Sequence, residues 1–122
     1  MKIAMLGGTG FAGGFILTEA VTWPELTVTA IVRNPDAVAA HERLTVVKGD
    51  VFETDALAEA LRGHDAVVHA FPPGRGVDMV DIYHQCVAGH ASIIAATRAA
   101  SVSRLVCVGG AASLMTPEGK EY

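Results

Sequence analysis

The strongest constraint on this chain is an alternation. Five short apolar runs, at 2–6, 27–32, 44–47, 65–70 and 104–108, are separated by stretches that carry helical signals. The runs are rich in Val, Ile and Leu and mostly continuous, the pattern of parallel strands buried on both faces. Between them, 11–22 carries Phe15, Ile16 and Glu19 at helical spacing and stops before Pro24. Pro35 opens a short helix through Ala40, since its fixed φ suits a first helical position. Thr54 is the expected cap of a helix through Arg62, which Gly63 ends. The longest helix runs from about Asp78 to Ala100, with Met79, Tyr83, Val87, Ala91 and Ile94 close to one apolar stripe.

A strict β-α-β order calls for a parallel sheet with right-handed crossovers. The predicted strand order is 3-2-1-4-5, the core of a doubly wound α/β sheet of Rossmann type. Helices after strands 1 and 2 then cover one face, and those after strands 3 and 4 the other. No repeat, low-complexity stretch or linker interrupts the chain, and 122 residues make a single domain, 1–122. Strand 5 is apolar on both faces, yet only the fourteen residues 109–122 follow it. A further crossover and strand need about thirty residues. One face of strand 5 is therefore expected to be thinly covered, so that a second copy or a missing C-terminal segment must shield it.

Composition narrows the function. Nine Lys and Arg against 13 Asp and Glu give a net charge of −4, the wrong balance for a general nucleic-acid binder. No apolar run reaches the eighteen or so residues that span a bilayer. The first strand begins at once, leaving no room for a signal peptide. Cys86 and Cys107 form no CxxC and read as buried thiols of a reducing compartment. The expectation is a soluble cytoplasmic domain.

The glycine loop is the first candidate site. Gly7-Gly-Thr-Gly-Phe-Ala-Gly13 leaves the first strand and opens the first helix. Gly7 takes the tight turn, Gly10 lets backbone approach a pyrophosphate, and Gly13 lets helix and strand pack closely. The N–H groups of the first helical turn then suit an anion. Strand 2 ends at Arg33, where an NAD-specific site places an acid for the ribose hydroxyls. Arg33 offers fixed guanidinium donors instead, which fit a 2′-phosphate. Asp36, three residues on, is the competing ribose acceptor, and the balance favours NADP over NAD.

Gly7 to Gly13, Ile31-Val-Arg-Asn-Pro35, Val47-Lys-Gly-Asp-Val51 and Val108-Gly-Gly-Ala-Ala-Ser113 occur in that order. Together they resemble the atypical short-chain dehydrogenase/reductase superfamily, in its NAD(P)H-binding, NmrA-like branch. The likeness covers essentially the whole chain, though members continue for about eighty or more further residues. It implies that Gly7, Thr9, Gly10, Phe11, Ala12, Gly13 and Arg33 contact the dinucleotide. It further implies that Asp50 accepts from the adenine amino group, with Val51 beside it, and that Ala70 and Phe71 pass under the ribose and nicotinamide. Asp50 as a simple turn cap is the alternative. Arg75 reads as a solvated loop residue. Ser113 matches a serine near the nicotinamide and is the one catalytic candidate. The superfamily's Tyr-x-x-x-Lys pair is missing, since Tyr83 is followed four residues on by Val87.

Other constellations carry less. Cys86 and His90 are four apart on the long helix, but His84 points elsewhere and no fourth ligand is evident, so no metal site is expected. His69 reads as a core or edge histidine. Two functions remain. One is an NADPH-dependent reductase of a flavin, quinone or similar acceptor, in which the cofactor carries the hydride. The other is a non-catalytic NAD(P)-binding regulator of the NmrA type. The partners implied are a nicotinamide dinucleotide and a small-molecule acceptor.

Overall fold

The computed structural model describes residues 1–70, 78–108 and 117. Its elements are β1 (Lys2–Leu6), α1 (Phe11–Ala20), β2 (Thr27–Val32), a 3₁₀ turn (Pro35–Ala37), β3 (Leu44–Lys48), α2 (Thr54–Leu61), β4 (Ala66–His69), α3 (Met79–Ala99) and β5 (Leu105–Cys107). The four strand-to-strand ladders among the described residues are parallel and the order is β3-β2-β1-β4-β5, as expected.

Side chains alternate across the sheet into two cores. Ala4, Leu6, Ile31 and Val67 pack with Leu57, Ala58 and Leu61 of α2 and with Ile93 and Ala96 of α3. Met5, Val28, Ala30 and Val32 face the other way, against Leu17 of α1 and Val38 beyond the 3₁₀ turn. That two-sided burial is why the strands read as continuous apolar runs rather than alternating ones. Gly63 ends α2 with a φ of +80°, the left-handed exit that glycine supplies most cheaply.

Four local expectations need correction. The turn after Pro35 opens at Asn34, whose side chain accepts from the Asp36 N–H (3.3 Å), and stops at Ala37 because Val38 is already extended and packed against the core. Glu53, not Thr54, stands at the cap of α2. Thr54 is the first helical residue, and its hydroxyl meets Ser92 of α3 at 2.7 Å. The stripe of Met79, Tyr83, Val87, Ala91 and Ile94 faces outward; Met79 is 75% exposed and Tyr83 65%. The buried face of α3 is Gly89, Ser92, Ile93, Ala96 and Thr97, mostly small residues that let the helix lie close on its neighbours. Finally, Cys86 is half-buried and Cys107 exposed, since Cys107 closes an edge strand.

The face of the sheet beside α1 is the less covered. Val106 is 42% exposed and Phe15 68%. Phe15 and Trp23 border an apolar groove floored by Ile3, Met5, Val28 and Val68. Val106 is the register partner of Val68 and extends this face to the sheet edge. Among the described residues no helix is long and apolar enough to cross a membrane.

An exposed apolar surface of this kind marks an association site. Leaving a large aliphatic exposed instead of buried forgoes about 1.5–3 kcal/mol. The 122-residue chain is therefore expected to self-associate, with a mass above one chain by size-exclusion chromatography and light scattering. A stable monomer with a high, cooperative melting temperature would show the face to be covered.

Candidate functional site: the glycine turn and the cleft beside it

The chain leaves β1 through Gly7, whose φ of +78° is left-handed and strains any residue with a Cβ. The Gly7 carbonyl accepts from the Gly10 N–H at 3.1 Å. One turn into α1, a Cβ on Gly13 would lie 1.8 Å from the same carbonyl oxygen. No side chain fits there, so α1 and the end of β1 touch through bare backbone.

Gly10 differs. Its φ of −79° is open to any residue, so glycine is not required there by backbone conformation. A Cβ there would meet only the Gly7 oxygen, at 3.5 Å. The space above Gly10 is open, and a side chain would fill it without disturbing the protein. Helix α1 also lacks a side-chain cap and has no acid in its first turn. Its leading N–H groups, which have no partner within the helix, are therefore offered to a ligand anion rather than to a carboxylate of the chain.

A cleft adjoins this turn at the carboxyl edge of β1, β2 and β3. Gly7, Thr9, Gly10, Arg33, Asp50 and Val51 line it, with Ile31, Val32, Gly49 and Phe52. Six residues singled out in the sequence are thus brought together. Ala12 is exposed on the first turn of α1, and Phe11 supplies that turn's first backbone group. Ala70 follows β4, its N–H donating to the Leu6 carbonyl at 3.0 Å. Phe71, Arg75 and Ser113 lie outside the described residues.

Arg33 is exposed and, among the described residues, makes no hydrogen bond or ion pair. Lys48, the register partner of Val32, shares a neighbouring hollow with Arg33, Asp50 and Glu53. The sequence reading passed over Lys48; parallel pairing of the two strand ends is the signal that finds it. Asp50 does cap a turn: its Oδ1 accepts from the Phe52 N–H at 3.0 Å. A carboxylate keeps acceptor capacity beyond one such bond. Ser92 donates its hydroxyl hydrogen to the Val51 carbonyl. Its single hydrogen is then committed, so Thr54 is the donor in the Thr54–Ser92 bond. The loop over the cleft is thereby tied to α3, a link that no local pattern announces.

A second cluster stands on the α3 side of the sheet. His69, the last residue of β4, is 2% exposed, in keeping with a core histidine. Its ring meets that of His90 edge-on, with centroids 4.9 Å apart. Burial, and then the neighbouring His90, hold its pKa below the ordinary 6.5, so the ring is neutral near pH 7. Cys107 is the register partner of His69 on β5. The Cys86–His90 pair weighed in the sequence does meet, with Sγ 3.6 Å from Nδ1, but the assembly of His69, His90 and Cys107 was not foreseen.

A parallel sheet in this order, with a glycine turn leading from its first strand into a helix, is a Rossmann nucleotide-binding domain. The NAD(P)H-binding family model matches residues 7–120, and the chain belongs to that family. It is 38% identical over 120 residues to the uncharacterized protein YwnB of Bacillus subtilis, covering 98% of this chain and 52% of YwnB. A Bacteroides thetaiotaomicron protein named "putative epimerase" superposes with a TM-score of 0.84 at 36% identity, over 98% of this chain and 52% of that one. A Citrobacter triphenylmethane reductase, solved with NADP(H), superposes with a TM-score of 0.72 at 27% identity, over 91% of this chain and 38% of that one. The chain thus spans 38% to 52% of the length of these proteins.

The two glycines separate fold from binding. Gly10→Val is expected to keep the native circular dichroism and melting temperature while losing dinucleotide binding. Gly13→Ala must displace backbone and is expected to lose about 1–3 kcal/mol of stability, the usual range for overpacking. Thermal melts with cofactor titrations on both variants check this. A Gly10→Val protein that binds normally would make the loop a mere connector.

Proposed function

We propose that the cleft binds NADPH in preference to NADH, and that the chain is the nucleotide-binding part of a reductase acting on a flavin, quinone or similar acceptor. The observation that carries this is the convergence of the glycine turn, Arg33 and Asp50 on one cleft at the carboxyl edge of the sheet. Membership in the NAD(P)H-binding family supports the nicotinamide cofactor.

In this reading Gly7 and Gly10 let the backbone close on the pyrophosphate, and the N–H groups of Phe11 and Ala12 meet its charge. Gly13 seats the helix, and Thr9 places a hydroxyl at the rim. Arg33 pairs with the 2′-phosphate through its fixed fork of donors. Asp50 accepts from the adenine amino group with the capacity left beyond its turn bond, and Val51 packs beside the ring. Ala70 and Phe71 support the ribose and nicotinamide side. Ser113 orients the acceptor or the nicotinamide amide by a hydrogen bond. Bound nicotinamide supplies the hydride chemistry itself. An acceptor such as a flavin or quinone can take its proton from solvent, so this reading asks of the described residues only that they bind and orient the cofactor.

NADPH is expected to bind more tightly than NADH, and Arg33→Ala to bring the two toward parity. A lost charge-assisted bond costs about 1.5–3 kcal/mol, roughly ten- to a hundredfold in affinity. Calorimetric titration of both chains with both cofactors measures it. Equal affinities in the unmodified chain would overturn the NADPH assignment. Steady-state NADPH oxidation by the whole protein with a panel of flavins and quinones tests the reductase. Tight binding without turnover would point instead to a non-catalytic NAD(P)-binding regulator.

A further inference from the structure

We propose that His69, His90 and Cys107 form a binding site for a borderline-soft divalent transition ion, with Zn²⁺ as its type. Each comes from a different element: β4, α3 and β5. One ligand atom from each lies within 4.8 Å of the other two. His69 and Cys107 are neighbours by sheet register, so their spacing is fixed by the backbone pairing itself rather than by a chance meeting of long side chains.

Zinc bonds of about 2.0–2.1 Å to nitrogen and about 2.3 Å to sulfur, at tetrahedral angles, set ligand atoms roughly 3.4–3.7 Å apart. Closure by about 1 Å is therefore enough. The exposed Cys107 and the half-buried His90 have more room to move toward an ion than His69, which is 2% exposed.

The tautomer of His90 is already suited to coordination. Its Nδ1 lies 2.8 Å from the Cys86 carbonyl oxygen, which only accepts, so Nδ1 carries the hydrogen. Nε2 is then the lone-pair nitrogen of the neutral ring. A ligating histidine whose other N–H is held by a backbone carbonyl is the usual outer-shell arrangement at metal sites. The same bond removes Cys86 as a rival ligand partner, because the nitrogen nearest its sulfur is the protonated one.

The donor set decides the ion. Two imidazoles and a thiolate suit zinc and its neighbours, whereas Mg²⁺ and Ca²⁺ take oxygen ligands. Cys107 enters as the thiolate, so binding releases one proton from the thiol. Three protein ligands leave a fourth position for water or an added ligand. A bound ion would also staple the three-residue edge strand β5 to β4 and α3.

The test uses the 122-residue chain stripped of metal and titrated with Co²⁺, followed by Zn²⁺. The expected result is one Co²⁺ per chain, a thiolate-to-cobalt charge-transfer band in the near ultraviolet, and displacement by Zn²⁺. Cys107→Ser should abolish the band and weaken binding at least tenfold, and His90→Gln should weaken it at least tenfold with unchanged circular dichroism. Cys86→Ser should leave band and affinity intact. Zn²⁺ should raise the melting temperature of the unmodified chain, and EDTA should reverse the rise. The proposal is overturned by the absence of stoichiometric Co²⁺ binding. It is equally overturned by a band that survives Cys107→Ser or disappears with Cys86→Ser, or by a melting temperature indifferent to Zn²⁺.

Discussion

The arrangement turns on one contact, where the Gly7 carbonyl meets the bare Cα of Gly13. A Cβ at that point would sit 1.8 Å from oxygen, so the distance between β1 and α1 is set by the lack of a side chain. That distance fixes where the first turn of α1 points. It also brings Leu17 down onto Met5 and Val28. Because β1 lies between β2 and β4, its exit position becomes the reference for everything along the carboxyl edge. Register then carries Arg33 to one side of the turn. The loop after β3 folds over Ile31, whose side chain leaves no room for a Cβ on Gly49. The cleft is a consequence of packing distances before it is an arrangement of functional groups.

Charge at the cleft is local. The chain is acidic overall, at −4, yet Arg33 and Lys48 stand together at the ends of β2 and β3, partly offset by Asp50 and Glu53. A mixed cluster of this kind suits a ligand carrying both phosphate and amino groups better than a uniformly basic surface would. It also separates this edge from a polyanion-binding face, where one sign dominates over a long span.

What was legible in the sequence follows from the same physics. Strands β1 and β2 were readable to the residue because two-sided burial demands unbroken apolar runs. The glycine turn was readable because strand, spacing and helix all had to coincide. Helix α3 was misread: an apolar stripe usually faces the core, but here Gly89, Ser92 and Ala96 make the closer contact and leave Met79 and Tyr83 outside. Thr54 was read as a cap because local signals say nothing of a partner 38 residues away. His69, His90 and Cys107 were opaque for a similar reason. Only the parallel pairing of β4 with β5 makes two of them neighbours, and only the seating of α3 adds the third.

Helix α3 links the two constellations. Ser92 donates to the Val51 carbonyl beside the cleft, and His90, two residues earlier, stands against His69. Ser92 lies in the buried face of α3 and the half-buried His90 borders it, where polar groups must find partners because burial without one costs free energy. The helix is therefore held by hydrogen bonds as well as by Ile93 and Ala96, and a hydrogen bond fixes direction in a way that apolar contact does not. A shift of α3 along its axis would break the Ser92 bond and part the imidazoles together. The loop above the cleft and the histidine cluster are thus set by a single rigid body, and the position of one constrains the position of the other.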